Sequence, residues 1–248
     1  SDVCSSDLTL NTTASYNTAL GYQAAFKSNS NVVTAVGNSA LHENTSGYGH
    51  TAMGWLALYS NTTGNNNTAY GQSSLRYNTT GNNNTAVGRE ALYANTFGSP
   101  NDAFGYGALY SNTTGAYNVA VGYQALYSNI TGTDNVAVGY KAGNAILSGV
   151  DNTIVGSNAA NVSTGSQNTI MGKGSMYRAT TAIQCTSIGK DALVNLTTGN
   201  YNTAVGLQAG MSLTTGIYNV CVGYNTDTAI GAQYQIVLGT SVTEIGRA

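Results

Sequence analysis

Charge is the scarcest property of this sequence. Only 7% of its 248 residues are Asp, Glu, Lys or Arg, whereas an ordinary globular domain carries roughly 25%. The formal net charge is −2, so the basic footprint that nucleic-acid binding requires is missing. There is one proline, Pro100, one tryptophan, Trp55, and only three phenylalanines. No apolar run approaches the ~18 residues of a membrane-spanning helix, so this segment is not expected to insert into a membrane. The sequence contains no HExxH, GxSxG or phosphate-loop motif and no GGxGxD calcium repeat. Its carboxylates are scattered rather than paired. No catalytic residue, metal ligand or cofactor is therefore expected, and the chain does not read as an enzyme.

What is present is a repeat built from Gly, Asn, Thr, Ala and Tyr. A glycine after an apolar residue recurs at Gly21, Gly37, Gly54, Gly71, Gly88, Gly105, Gly122, Gly139, Gly156, Gly172, Gly189, Gly206, Gly223 and Gly239; ten of the intervals are 17 residues and three are 16. Fixed periods this short mean stacked supersecondary units. With this glycine as position 5, position 1 is mostly Asn (Asn67, Asn84, Asn118) and position 2 mostly Thr or Val. Position 3 is mostly Ala (Ala52, Ala86, Ala120), and position 4 is Tyr70, Phe104 or an aliphatic residue such as Val87 or Val121. Positions 8 and 9 often read Ala-Leu, and positions 12 to 15 Asn-Thr-Thr-Gly.

Thr and Val suit strands, so positions 1 to 4 are expected to form one short strand and positions 7 to 10 a second. Gly at position 5 permits a corner, and Asn-Thr-Thr-Gly is a turn sequence. Poor helix formers and two glycines per unit exclude a helical repeat. The expected fold is all-β: a parallel β-solenoid, or β-roll, of about 14 coils. Position 4 and the position-9 Leu are expected to fill the core, leaving the position-3 alanines on the opposite face. A core this thin offsets poorly the ordering cost of 17 residues at roughly 1–2 kcal/mol each. That shortage predicts a homotrimer packed through the position-3 face.

The unit Asn118-Val119-Ala120-Val121-Gly122 resembles the SVAIG-type repeat of trimeric autotransporter adhesin heads. The fuller string NTAVG-YQALYSNTTG is similar to repeats of phage tail-fibre proteins, and Tyr234 to Val242 resembles the segment that closes such arrays. The resemblance covers residues 11 to 242. It implies a left-handed roll in a homotrimer, an extracellular location on a virion tail or bacterial surface, and a structural or adhesive role. Residues 1–8 and 244–248 resemble translated sequencing adapter, which leaves 9–243 as the repeat domain.

His42 and His50 occupy the position-10 and position-1 slots and read as repeat drift. Cys185 and Cys221 stand at positions 1 and 3 of coils two apart, ~10 Å axially at the ~4.8 Å coil spacing, too far for a disulfide. Sequons such as Asn61, Asn78 and Asn112 follow from the turn sequence. The unusual surface residue is tyrosine, at position 10 (Tyr59, Tyr93, Tyr110, Tyr127, Tyr177) and at position 6 (Tyr22, Tyr106, Tyr123, Tyr140, Tyr224), where Trp55 also falls. Stacked coils would align these into columns, which either shield the thin core or grip a surface glycan or protein receptor. The alternative function is ice binding, which needs an unbroken threonine face. Here the position-2 column is interrupted by Asp102, Val119, Val136 and Val220.

Overall fold

The computed structural model describes residues 15–162, 165–239 and 244–247; the adapter-like residues 1–8 lie outside this range. It forms two compact units, to Gln124 and from Ala125. The first holds β1 (Thr18–Leu20), β2 (Val33–Val36), β3 (His50–Met53), β4 (Thr68–Tyr70), β5 (Thr85–Val87), β6 (Asn101–Phe104) and β7 (Asn118–Val121). The second holds β8 (Val136–Val138), β9 (Thr153–Val155), β10 (Thr169–Met171), β11 (Thr186–Ile188), β12 (Thr203–Val205), β13 (Val220–Val222), β14 (Gln235–Leu238) and β15 (Glu244–Arg247). Within each unit consecutive strands pair in parallel, one strand per coil. Only β15, on β14, runs antiparallel. The described residues contain no helix. This is the all-β parallel solenoid that the repeat implies.

The register aligns like positions: Thr68 with Thr85, Ala69 with Ala86, Tyr70 with Val87. Alternation then decides which positions enter the core, and here the structure reverses the expectation. Positions 1 and 3 point inward: Asn84 and Ala86 are fully buried, as are Asn118, within 1%, and Ala120. Positions 2 and 4 point outward, and Val121 is 36% exposed. The position-3 alanines are thus the core, and the outward apolar column is position 4: Leu20, Tyr70, Phe104, Val138, Met171, Val222 and Leu238 are all exposed. Glycine at position 5 is required by the close stacking of the coils. A Cβ on Gly88, at φ +133°, would lie 2.5 Å from the Gly105 carbonyl oxygen of the next coil.

The second expected strand is also absent. Positions 7 and 9 have left-handed angles in coil after coil, as at Leu56 (φ 57°) and Leu58 (φ 52°), Glu90 (58°) and Leu92 (50°), Asp191 (55°) and Leu193 (47°). Alternating handedness curls positions 6 to 11 into a turn, and Leu at position 9 enters the core at the φ that a helix or strand would forbid it. Its neighbours follow from glycine at the same slot. A Cβ on Gly210 would meet Leu193 Cδ2, Leu213 Cδ1 and Ala204 Cβ, so positions 9, 12 and 3 share one interior.

Two asparagine ladders line that interior. At position 12, Asn78 Nδ2 donates to Asn61 Oδ1 of the preceding coil at 2.8 Å and to the Gly81 carbonyl of its own turn at 3.0 Å; Asn95 repeats this with Asn78 and Gly98. At position 1, Asn84 Oδ1 accepts from Asn101 Nδ2, while Asn84 Nδ2 donates to Gly98 O, its backbone N–H having bonded Asn67 Oδ1. The Gly81, Gly98 and Gly115 carbonyls each receive one asparagine from each ladder and tie strand to turn. The sequons at Asn61, Asn78 and Asn112 belong to this ladder and are fully buried, which closes them to glycosylation in the folded coil. In the second unit, after Asn129, position 12 turns aliphatic, with Ile146, Ala179, Leu196 and Leu213 all buried.

His50 shows how far a ladder slot dictates chemistry. Its Nδ1 accepts the Asn67 backbone N–H at 3.2 Å, and its Nε2 lies 3.2 Å from Asn61 Nδ2. The ring thus takes the place of an asparagine amide. Burial holds its pKa down to about 4, against the partial opposition of backbone hydrogen bonding near Gly64 and Asn67. A depressed histidine is neutral in the fold, so its stability is intact above pH ~6.5 and is lost as pH falls through ~4, about 3 kcal/mol in all. His50→Asn is expected to flatten the fall in melting temperature between pH 7 and pH 4; parallel acid profiles for parent and variant would contradict the ladder role.

Candidate functional site

Cys185 and Cys221 are buried and unpaired, and burial raises both thiols to about 11. They are inert at neutral pH. No cluster of His, Cys, Asp or Glu suited to a metal ion, and no helix long and apolar enough to cross a membrane, occurs among the described residues. The surface is divided by residue type.

All seven Lys and Arg residues between 15 and 239 stand at positions 6 to 11: Lys27, Arg76, Arg89, Lys141, Lys173, Arg178 and Lys190. Four carboxylates share that turn face, Glu43, Glu90, Asp191 and Asp227, so it carries net positive charge; the remaining carboxylates in this range, Asp102, Asp134 and Asp151, lie elsewhere. The turn face also carries most of the aromatic rings. Arg76 lies over Tyr77 and Tyr93, Arg89 over Tyr106 and Lys141 over Tyr140, at 5.3–5.9 Å. Such cation–π pairs are worth about 0.5–1 kcal/mol each at exposed sites.

The predicted tyrosine columns exist within the units. Tyr93 stacks on Tyr110 at 4.9 Å and 4°, and Tyr106 on Tyr123 at 5.2 Å and 13°. In the same position-10 column His42 is sandwiched between Phe26 and Tyr59, each at 5.1 Å. Where rings stack at the coil spacing, their flat faces cover one another and edges and hydroxyls face solvent. A sugar ring needs a free face. Trp55, half exposed, stacks on no ring among the described residues: its column neighbours are Asn38 and Gln72. Tyr22, Tyr140 and Tyr224 are likewise prominent, and Tyr127 is partly buried.

Sequence reasoning missed a third column. Tyr201, Tyr218 and Tyr234, at position 17, stack at 4.5 and 5.0 Å, within 6° of parallel. All three have φ of 55–59°, an angle that suits Asn66 and Asn83 in the same slot far better than tyrosine. The signal was available: tyrosine recurs there in three successive coils.

Comparison of the chain with protein-family models, curated proteins and solved structures finds no match.

Proposed function

We propose that this chain is a segment of an extracellular structural and adhesive fibre, on a phage tail or a bacterial surface. Its copies associate as a homotrimer through the outward strand face, and its turn faces meet a glycan or protein receptor. The observation that carries this reading is the segregation of the surface. One side, positions 2 and 4, bears threonine and exposed aliphatic side chains and no cation. The other collects every Lys and Arg of the repeats together with most of the rings. Exposed apolar stripes mark association surfaces, and Arg, Tyr and Trp are the residues that anchor partners. The position-3 alanines cannot be the association face, because they are the core.

Val87→Glu with Val121→Glu tests assembly. Both side chains project from the strand face, so the monomer keeps its fold, while association brings together like charges that must be desolvated. Sedimentation at micromolar concentration is expected to show a trimeric parent and a monomeric double variant with unchanged circular dichroism. A folded parent that sediments as a monomer overturns the trimer.

Ice binding is the second reading, and one feature favours it. Thr18, Thr34, Thr51, Thr68 and Thr85 form an outward column in unbroken register. Beside them at position 4, however, stand Met53 and Tyr70 among smaller residues, so the face is not flat. Thermal hysteresis in the monomeric double variant's parent would favour ice; none is expected.

A further inference from the structure

The turn face of the second unit has a groove of about 190 Å³ between its position-6 and position-10 columns, lined by Asn158, Lys173, Gly174, Tyr177, Asp191 and Val194. Position 7, filled by Gln124, Lys141 and Gln208 in other coils, is glycine at 174, as it is at 107. A Cβ on Gly174 would lie 2.4 Å from Asp191 Oδ1. The carboxylate thus leans across the glycine into the space that a side chain would fill. Its ion pair with Lys190 is loose, at 3.7 Å and well exposed, and leaves its oxygens able to accept further hydrogen bonds. Lys173 takes part in none of the ion pairs of the described residues. Tyr177 is 37% exposed and, unlike the laddered tyrosines, has no stacked ring over its face.

We infer that this groove binds one acidic pyranose unit of a surface polysaccharide. The C–H face of the sugar packs on Tyr177 and Val194, its carboxylate pairs with Lys173, and ring hydroxyls donate to Asp191 and to the Asn158 side-chain oxygen. The volume is below the ~300–1,000 Å³ of pockets for drug-sized ligands, which limits the occupant to a single ring. Hydroxyls donating to a carboxylate make charge-assisted bonds, and an aromatic face suits the apolar side of a pyranose. An acidic sugar is favoured over a neutral one because Lys173 and Lys190 outweigh Asp191. The inference rests on the attachment reading above.

The test is titration of the whole chain with methyl β-glucuronide and, in parallel, methyl β-glucoside, read by saturation-transfer NMR. The glucuronide is expected to bind in the millimolar range and the glucoside at least tenfold more weakly. Gly174→Gln fills the groove with the residue that Gln23, Gln124 and Gln208 supply at the same slot and the same left-handed angle. It is expected to fold with a modestly lowered melting temperature, because its Cβ displaces the Asp191 carboxylate, and to abolish binding. Glucuronide binding that survives Gly174→Gln, equal binding of the two glycosides, or no binding of either overturns the groove. Attachment itself is read separately, by capture of the parent on an array of bacterial surface polysaccharides. Capture that Gly174→Gln leaves unchanged removes the groove and keeps attachment, and no capture at all removes both.

Discussion

Ala120→Asp is expected to unfold the coil that carries it, and Val121→Asp to leave it folded. The two residues are adjacent in β7 and differ only in the face they present. Ala120 has no exposed surface, and its partner in β6 is Ala103, equally buried. Position 3 meets the position-9 and position-12 side chains, as the surroundings of Gly210 show. The preceding coil supplies Leu109, fully buried, and Asn112, whose amide is already spent on Asn95 and Gly115. A carboxylate at 120 gains no donor from either and must be buried charged or protonated, a cost above about 4 kcal/mol. Val121 projects outward at 36% exposure, so a charge there stays hydrated and costs within about 1 kcal/mol in the isolated chain. Urea denaturation of the two variants checks this, with dissociation of the assembly as the separate signature of Val121→Asp.

Asn78→Asp is expected to be nearly as damaging, whereas Asn78→Leu is tolerated. The asparagine donates both protons of Nδ2, to Asn61 Oδ1 and to Gly81 O, at 2.8 and 3.0 Å. Aspartate presents oxygen to both oxygens. It also faces the Asn95 amide, which can satisfy only one side. An unmatched buried carboxylate of this kind costs about 3–5 kcal/mol. Leucine removes the same bonds but brings apolar volume, and the fold already accepts it at this slot in Leu196 and Leu213. Exchanging a polar ladder step for a well-packed side chain is a smaller loss, about 1–2 kcal/mol. Thermal melting of the two variants orders them; Asp equal to Leu would show that the ladder does not hold the coil.

The solenoid and its strand positions were legible because glycine spacing and Thr/Val runs are local signals. Which face of the strand turns inward was not, because alternation gives two faces and no sign. The apolar residue at position 4 looked like core, and the alanine at position 3 looked like a surface against which chains pack. A comparison between coils carries the answer. Where position 9 is Leu, as at Leu58, Leu75, Leu92 and Leu193, the following position 3 is small: Ala69, Ala86, Ala103 and Ala204. Where position 9 shrinks to Gly143 or Ala160, position 3 grows to Ile154 or Ile170. That trade in volume is what close packing demands of residues sharing an interior. The contact of the Gly143 site with Ile154 Cδ1 and Leu126 Cδ2 shows it directly. Position 4 makes no such trade. The turn at positions 6 to 11 was hidden for another reason. Leucine at φ near +50° runs against its own preference, and only the buried Leu core together with bonds to neighbouring coils, such as Leu58 N–H to Ser74 O at 2.9 Å, holds it there.

The tyrosine columns were legible as alignments, but their chemistry was not. Spacing alone could not say that Tyr93 and Tyr110 stack on each other while Trp55 and Tyr177 stack on no ring. That depends on which residue the neighbouring coil places in the same column.

The orientation of the strand decides which side chains form the core and which form the outer face, and thiol accessibility measures it most directly. With Cys4 replaced by serine, Ala86→Cys and Val87→Cys are each labelled with a maleimide in dilute solution. Cys185 and Cys221, buried with thiols raised to about 11, serve as internal unreactive references. The cysteine at 87 is expected to react within tenfold of an unfolded thiol. The one at 86 should be slowed by about a thousandfold or more, because it reacts only when the coil opens. Rapid labelling at 86 with protection at 87 would contradict the account.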